Sequence, residues 1–139
     1  MTTISFDTLA VGDTLPEVRF GPITRTTLAL FAGASGDHNP IHIDSDFAKK
    51  AGMPDVFAHG MLSMAVLGRV LTGFVPQAQI RSYGVRFTSI TQLHQTVTCT
   101  GTVSELLEVD GEKRARIALS AATETGQTLQ GHAEIAIPN

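Results

Sequence analysis

The feature that most constrains this chain is a change of hydrophobic period about halfway along it. Residues 60–74, "GMLSMAVLGRVLTGF", are apolar on nearly every helical face, with only Ser63, Arg69 and Thr72 polar. Such a run predicts a helix buried along most of its surface. Beyond it the period falls to two. Tyr83, Val85 and Phe87 alternate with polar or small residues, as do Val97, Cys99, Gly101 and Val103 against a row of threonines. Ala115, Ile117, Leu119 and Ala121 continue the pattern, followed by Leu129, Gly131, Ala133 and Ile135. These are strand signatures, and Asp110-Gly111 and Thr125-Gly126 between them are turn signals, so an antiparallel meander is expected. One apolar helix ahead of a sheet with one apolar face buries both only if the sheet wraps the helix, which makes the class α+β.

The first half of the chain carries shorter, capped helices. Thr24 opens a segment running to Ala34 with Leu28, Phe31 and Ala32 at helical spacing, and Ser35-Gly36 ends it. In "IDSDFAKKAGMP", Asp44 can cap, Lys49 and Lys50 fall in the last turn, Gly52 can terminate, and Pro54 forbids continuation. With 139 residues the chain fits one domain, residues 1–139, with no internal repeat. A hydrophobic fraction of 42% against 17% charged excludes disorder, and a net charge of -3 without a basic stripe excludes a nucleic-acid footprint. The apolar run is too short for a membrane span and contains Arg69. The N-terminus lacks a basic start followed by an apolar run, so a cytoplasmic location is expected, which suits a chain whose single Cys99 lies in a strand pattern as a small apolar residue.

Between the two short helices stands Gly36-Asp37-His38-Asn39-Pro40-Ile41-His42. Asp37 and His42 offer an acid and a base, the pair needed by a reaction that removes one proton while delivering another. Pro40 fixes its own backbone torsion and pushes Asn39 to an extended conformation, so the loop is stiff and cannot coil into a helix. Further on, "FAHGML" places Gly60 at the mouth of the apolar helix, where unpartnered N–H groups and the helix dipole stabilise an oxygen gaining negative charge. Each residue taken singly also has a plainer reading. Asp37 serves equally as a turn or cap residue, His42 as a hydrogen-bonded structural histidine, and Gly60 as a glycine that opens a helix. His38 is expected to face solvent, and His94 and His132, in strand patterns, to be surface residues. A metal site would recruit Asp37, His38, His42, Asp44 and His59, but there are no cysteine ligands or paired helical histidines, and proline interrupts the set. A serine hydrolase through Ser35 or Ser63 lacks the nucleophile-elbow motif.

The run from Phe31 to His42, "FAGASGDHNPIH", with Ala48 six positions later, resembles the signature of the MaoC-like, (R)-specific enoyl-CoA hydratases, also called hydratase 2. "AHGML" at 58–62 and "VRF" at 85–87 resemble that family too. The chain is also similar to the short dehydratase subunits that act on 3-hydroxyacyl carrier proteins in mycolic-type fatty acid elongation. The resemblance implies a hotdog fold: an antiparallel sheet wrapped around the helix at 61–73, a helical overhang carrying the active-site loop, and two subunits joined edge to edge. It implies that Asp37 and His42 hold one water, that Asn39 orients the site, and that the Gly60 amide receives the thioester oxygen. The reaction implied is reversible hydration of trans-2-enoyl thioesters to (R)-3-hydroxyacyl thioesters, a hydro-lyase activity that needs no metal or redox cofactor.

The substrate carrier is either coenzyme A or an acyl carrier protein. Its negative phosphates suit some of Arg69, Arg81, Arg86, Lys49 and Lys50. The partner is either a second copy, giving a homodimer, or a different hotdog chain, giving a heterodimer. A non-catalytic hotdog subunit that binds acyl thioesters and a thioesterase on the same fold remain the rival readings. Nothing in the sequence measures the acyl chain.

Overall fold

The computed structural model describes residues 4–138. Three α-helices occupy the first half. Helix α1 (Arg25–Ser35) begins at Thr24, whose side chain accepts from the Thr27 N–H, and ends at Gly36 in the left-handed conformation. Helix α2 (Ser45–Lys50) is capped by Asp44, which accepts from the N–H groups of Asp46 and Phe47. Both boundaries fall where the capping residues predict them. Between the two helices, Pro40–His42 forms a single 3-10 turn capped by Asn39. Helix α3 (Gly60–Thr72) is the apolar helix.

The strands are β1 (Val18–Phe20), β2 (Ile80–Phe87), β3 (Val97–Val109), β4 (Glu112–Thr123) and β5 (Gly126–Ala136). They form one antiparallel sheet in the order β1-β3-β4-β5-β2. At the β3–β4 hairpin, Asp110 and Gly111 both have positive φ, 51° and 81°, as the twist-matched two-residue turn requires. The expected meander is thus correct for β3, β4 and β5 and wrong for β2. Although β2 precedes β3 in the chain, it pairs with β5 at the far edge. Period alone cannot choose a strand's neighbour, and the connection over residues 88–96 is long enough to cross. His94 lies in that connection with φ 69°, not in a strand as its surroundings suggested, although it is exposed as expected. Strand β1, three residues long, left no periodic signal.

The inner face of the sheet carries the alternating residues read from the sequence. Cys99, Ala115, Ile117, Ala121, Ala133 and Ile135 have no exposed surface, and they pack with Leu62, Val66, Leu67, Val70 and Leu71 of α3. A Cβ at Gly101 would lie 3.0 Å from a Val70 methyl and 3.2 Å from an Ile117 methyl, so glycine there admits the close approach of helix and sheet. The helix, expected to be buried along most of its surface, leaves one side open. Met61 is 56% exposed, and Ala65, Arg69 and Thr72 continue an open stripe along the same side. Tyr83 of β2 borders this stripe and donates its hydroxyl to the Met64 carbonyl at 2.6 Å. Removal from water pushes the Tyr83 phenol up and raises the Cys99 thiol to about 11, so the cysteine is a packing residue. Among the described residues no helix is long and apolar enough to cross a membrane.

Candidate active site

The site is assembled where the α1–α2 loop meets the start of α3. Its loop is held by its own short-range bonds. The Asp37 N–H donates to Ser35 Oγ at 3.1 Å, the Asn39 N–H to Asp37 Oδ1 at 3.2 Å, and the Ile41 N–H to Asn39 Oδ1 at 3.1 Å. These local bonds make Asn39 the cap of the Pro40–His42 turn, the conformation-setting use of Asx residues. The turn then carries His42 back toward the chain ahead of α3. There the His42 Nδ1–H donates to the Phe57 carbonyl at 2.7 Å, leaving Nε2 with its lone pair.

Asp37, exposed, and His42, half-buried, are brought together by this path, and His59 joins them. A carboxylate oxygen of Asp37 and one ring nitrogen each of His42 and His59 lie within 4.8 Å of one another. The ring of His59 stacks on His42 with centroids 4.0 Å apart and planes 27° apart, while Phe57 and Phe31 meet His42 and His59 edge-on. His59 is 1% exposed, and its Nε2–H donates to the Asp37 carbonyl at 3.1 Å. Burial pushes its pKa below the ordinary histidine value, with the bond to Asp37 opposing the shift. The meeting of Asp37 and His42 is the one the resemblance implies; the added histidine comes from a distant segment, so the proline that interrupts the loop does not keep it away. Of the residues considered as ligands, His38 is exposed and Asp44 is committed to capping α2. Two of the four ring nitrogens, His42 Nδ1 and His59 Nε2, are already bonded to backbone carbonyls.

Gly60 is the third candidate element. His59 occupies the cap position of α3 but its side chain makes no capping bond, so the first N–H groups of that helix are not closed off by a side chain. Gly60 is exposed, and a Cβ there would lie 2.8 Å from the Phe87 ring, so the nearest reason for glycine is the aromatic edge of β2. Beside it lies a recess of about 170 Å³ lined by Phe57, Gly60, Ser63, Phe87 and Ile90. Larger recesses exist elsewhere. One of about 500 Å³ lies on the outer face of β2 and β5 around Arg86 and His132, and one of about 450 Å³ lies between the open stripe of α3 and Tyr83. None of these three recesses includes Asp37 or His42 in its lining, but the one beside Gly60 also includes Phe57, whose carbonyl holds His42. Ser63 is buried with its Oγ 3.4 Å from Thr91 Oγ1, and Ser35 Oγ is occupied by the loop, so neither is placed as a nucleophile. Sequence reasoning missed the Phe57 carbonyl and the placement of His59. The available signal was a histidine in place of a good capping residue at the mouth of an apolar helix.

Comparison with known proteins agrees with this architecture. The MaoC-like domain model matches residues 8–125. An (R)-specific enoyl-CoA hydratase of Rhodospirillum rubrum is 34% identical over 121 residues, covering 84% of this chain and 81% of that protein. A 3-hydroxybutyryl-CoA dehydratase of Methylorubrum extorquens is 30% identical over 142 residues, covering 99% and 87%. The unliganded R-hydratase PhaJ1 from Pseudomonas aeruginosa superposes with a TM-score of 0.84 at 30% identity, covering 99% of this chain and 87% of the other. With its hotdog sheet, its central helix and a family match over most of its length, the chain belongs to the MaoC-like domain family.

Proposed function

We propose that this protein is a hydro-lyase that adds water reversibly to trans-2-enoyl thioesters, giving (R)-3-hydroxyacyl thioesters. The observation that carries the reading is the spacing of Asp37 and His42. Two hydrogen bonds of about 2.8 Å meeting at the tetrahedral angle of water span about 4.6 Å. The carboxylate and the imidazole, no farther apart than 4.8 Å, can therefore share one water.

In this mechanism the water oxygen bonds to C3 of the enoyl thioester while one of its protons passes to the pair and a proton is delivered to C2. Asp37 activates the water, and His42 handles the proton through Nε2. The two groups share one water, so their roles are read as those of a pair. Between the two events negative charge gathers on the thioester oxygen, and the Gly60 N–H at the head of α3 stabilises it. Asn39 orients the site through the turn it caps. A group arrangement that holds water on one face of the substrate produces one enantiomer.

The substrate carrier, coenzyme A or an acyl carrier protein, and a dimeric assembly complete the reading. The outer edge of β2 pairs with no other strand of the described sheet. Phe87 on that strand is 53% exposed, and the open stripe of α3 lies alongside it. A second hotdog chain, identical or different, would cover both.

Incubation with crotonyl-CoA, followed by loss of the conjugated thioester absorbance and chiral analysis, tests the proposal. The expected product is (R)-3-hydroxybutyryl-CoA, with activity unchanged by EDTA and no free thiol. The (S) product, inhibition by the chelator or stoichiometric thiol release would reject it. Inactivity toward both coenzyme A and carrier-protein substrates would favour the non-catalytic subunit.

A further inference from the structure

We infer that His59 is a positioning residue of this site, holding Asp37 through its backbone carbonyl and His42 through ring stacking. The inference rests on the hydratase reading of Asp37 and His42.

His59 stands where a helix normally places a small capping residue, yet it caps nothing. Its imidazole turns into the protein, with 1% of its surface exposed. The two ring nitrogens have opposite fates. Nε2 donates to the Asp37 carbonyl at 3.1 Å, while Nδ1 is buried with no hydrogen-bond partner among the described residues. A buried acceptor left unpaired is a standing cost that an apolar ring of similar size would not carry. Space filling therefore does not account for histidine here, and the bonded nitrogen does. Its bond ties α3 to the residue that bears the acidic side chain, 22 positions earlier in the chain.

The ring face does a second task. His42 is bonded to the Phe57 carbonyl at one nitrogen and met edge-on by the Phe57 ring. His59 lies against a broad face of the same ring, with centroids 4.0 Å apart. The ring plane of His42 is then fixed from the side as well as from its tip. Burial favours the neutral form of His59, so the stacked neighbour does not repel a proton arriving on His42. A group that holds the reacting pair without touching the reacting atoms acts on turnover more than on substrate binding.

The test compares His59→Phe, which keeps a stacking ring but loses the donor, with His59→Gln, whose amide can restore a donor near the Nε2 position. With crotonyl-CoA, His59→Phe should lower kcat by about 10²-fold with KM within about twofold. His59→Gln should recover about tenfold of that loss. Amide hydrogen exchange at Asn39 and His42 should quicken in His59→Phe, stay slow in His59→Gln, and be unchanged in both at the β3–β5 core. If His59→Phe does not fold, His59→Asn, which loses the ring and shortens the donor, replaces it, with a loss of kcat at least as large and the same quickening of exchange at Asn39 and His42. Wild-type turnover in the donor-less variant overturns the inference, as do equal losses in both variants with unaltered exchange. If the wild-type protein hydrates neither crotonyl-CoA nor an enoyl carrier protein, the functional reading falls, and the exchange comparison alone decides whether His59 holds the loop.

Discussion

The overhang formed by α1, α2 and their loop differs in kind from the β3–β5 sheet it sits beside. The sheet is held by area: residue after residue on its inner face has no exposed surface, and α3 presses against that face. The overhang buries Leu28, Ala32 and Ala48 but leaves Leu30 70%, Ile43 44% and Phe47 45% exposed. Its shape comes from directional bonds. Thr24, Asn39 and Asp44 each cap a turn, and Asp55 accepts from the Ser45 hydroxyl at 2.7 Å, from its neighbour's N–H and from Arg25. Non-directional burial tolerates small displacements, whereas a site that must share one water between two side chains does not. In the proposed mechanism the reacting groups therefore stand on the part of the fold that is fixed by hydrogen bonds.

This division predicts that activity and stability can be broken separately. The largest effect should come from the overhang: Asp37→Asn and His42→Ala are each expected to lower hydration of crotonyl-CoA by about 10²-fold or more, since removal of a positioned acid or base costs about that much. Their thermal midpoints should stay close to wild type, because Asp37 is exposed and His42 is only half-buried. Normal turnover in either variant would remove that residue from the mechanism.

The reverse experiment truncates the core. Leu67 of α3 has no exposed surface, and Leu67→Ala should cost about 2–5 kcal/mol in urea unfolding. Turnover per folded molecule should be nearly unchanged. A specific loss of turnover at full folding would show that the site feels the core more than the comparison allows.

A smaller effect is expected where the two regions meet. Gly60→Ala drives a methyl to within 2.8 Å of the Phe87 ring, which must swing away. A fall in turnover of about tenfold is expected from the displaced edge of the site, with partial recovery when Phe87→Ala is added. Additive losses in the double variant would deny the contact.

Acid should loosen both regions by the same sign. The Ser45 hydroxyl, the Val56 N–H and the Arg25 guanidinium hold the Asp55 carboxyl well below the ordinary range, and Arg81 with Arg114 lowers Glu112 to about 2. A carboxylate whose folded pKa is depressed contributes stability in full above its unfolded value, near 4, and loses it as pH falls toward the folded value. Unfolding midpoints should therefore decline between about pH 4 and 2, modestly, because both groups are solvated. Asp55→Asn and Glu112→Gln should each flatten that decline. Slopes identical to wild type would mean that neither partner set stabilises the folded state. The smallest change is expected for Tyr83→Phe, which removes one hydroxyl bond to the Met64 carbonyl and should cost about 1 kcal/mol.

Much of this protein was legible before any coordinates. The caps at Thr24 and Asp44, the terminating glycines, the core helix and the inward residues of β3, β4 and β5 were all readable, because each depends on neighbours within a few positions. The same holds for the loop from Gly36 to His42, whose glycine, proline and Asx residues prescribe its local course. What the sequence could not determine was every relation between distant segments. Only the tertiary structure decided that β2 crosses to pair with β5, that one side of α3 stays open, and that Phe87 closes over Gly60. It also decided that His59, which the sequence offers as the neighbour of Gly60 and as one of several metal-ligand candidates, lies flat against His42 and bonds to Asp37. Periodicity and capping are short-range properties of one segment, whereas stacking, edge pairing and the sharing of a water depend on where two segments meet in space.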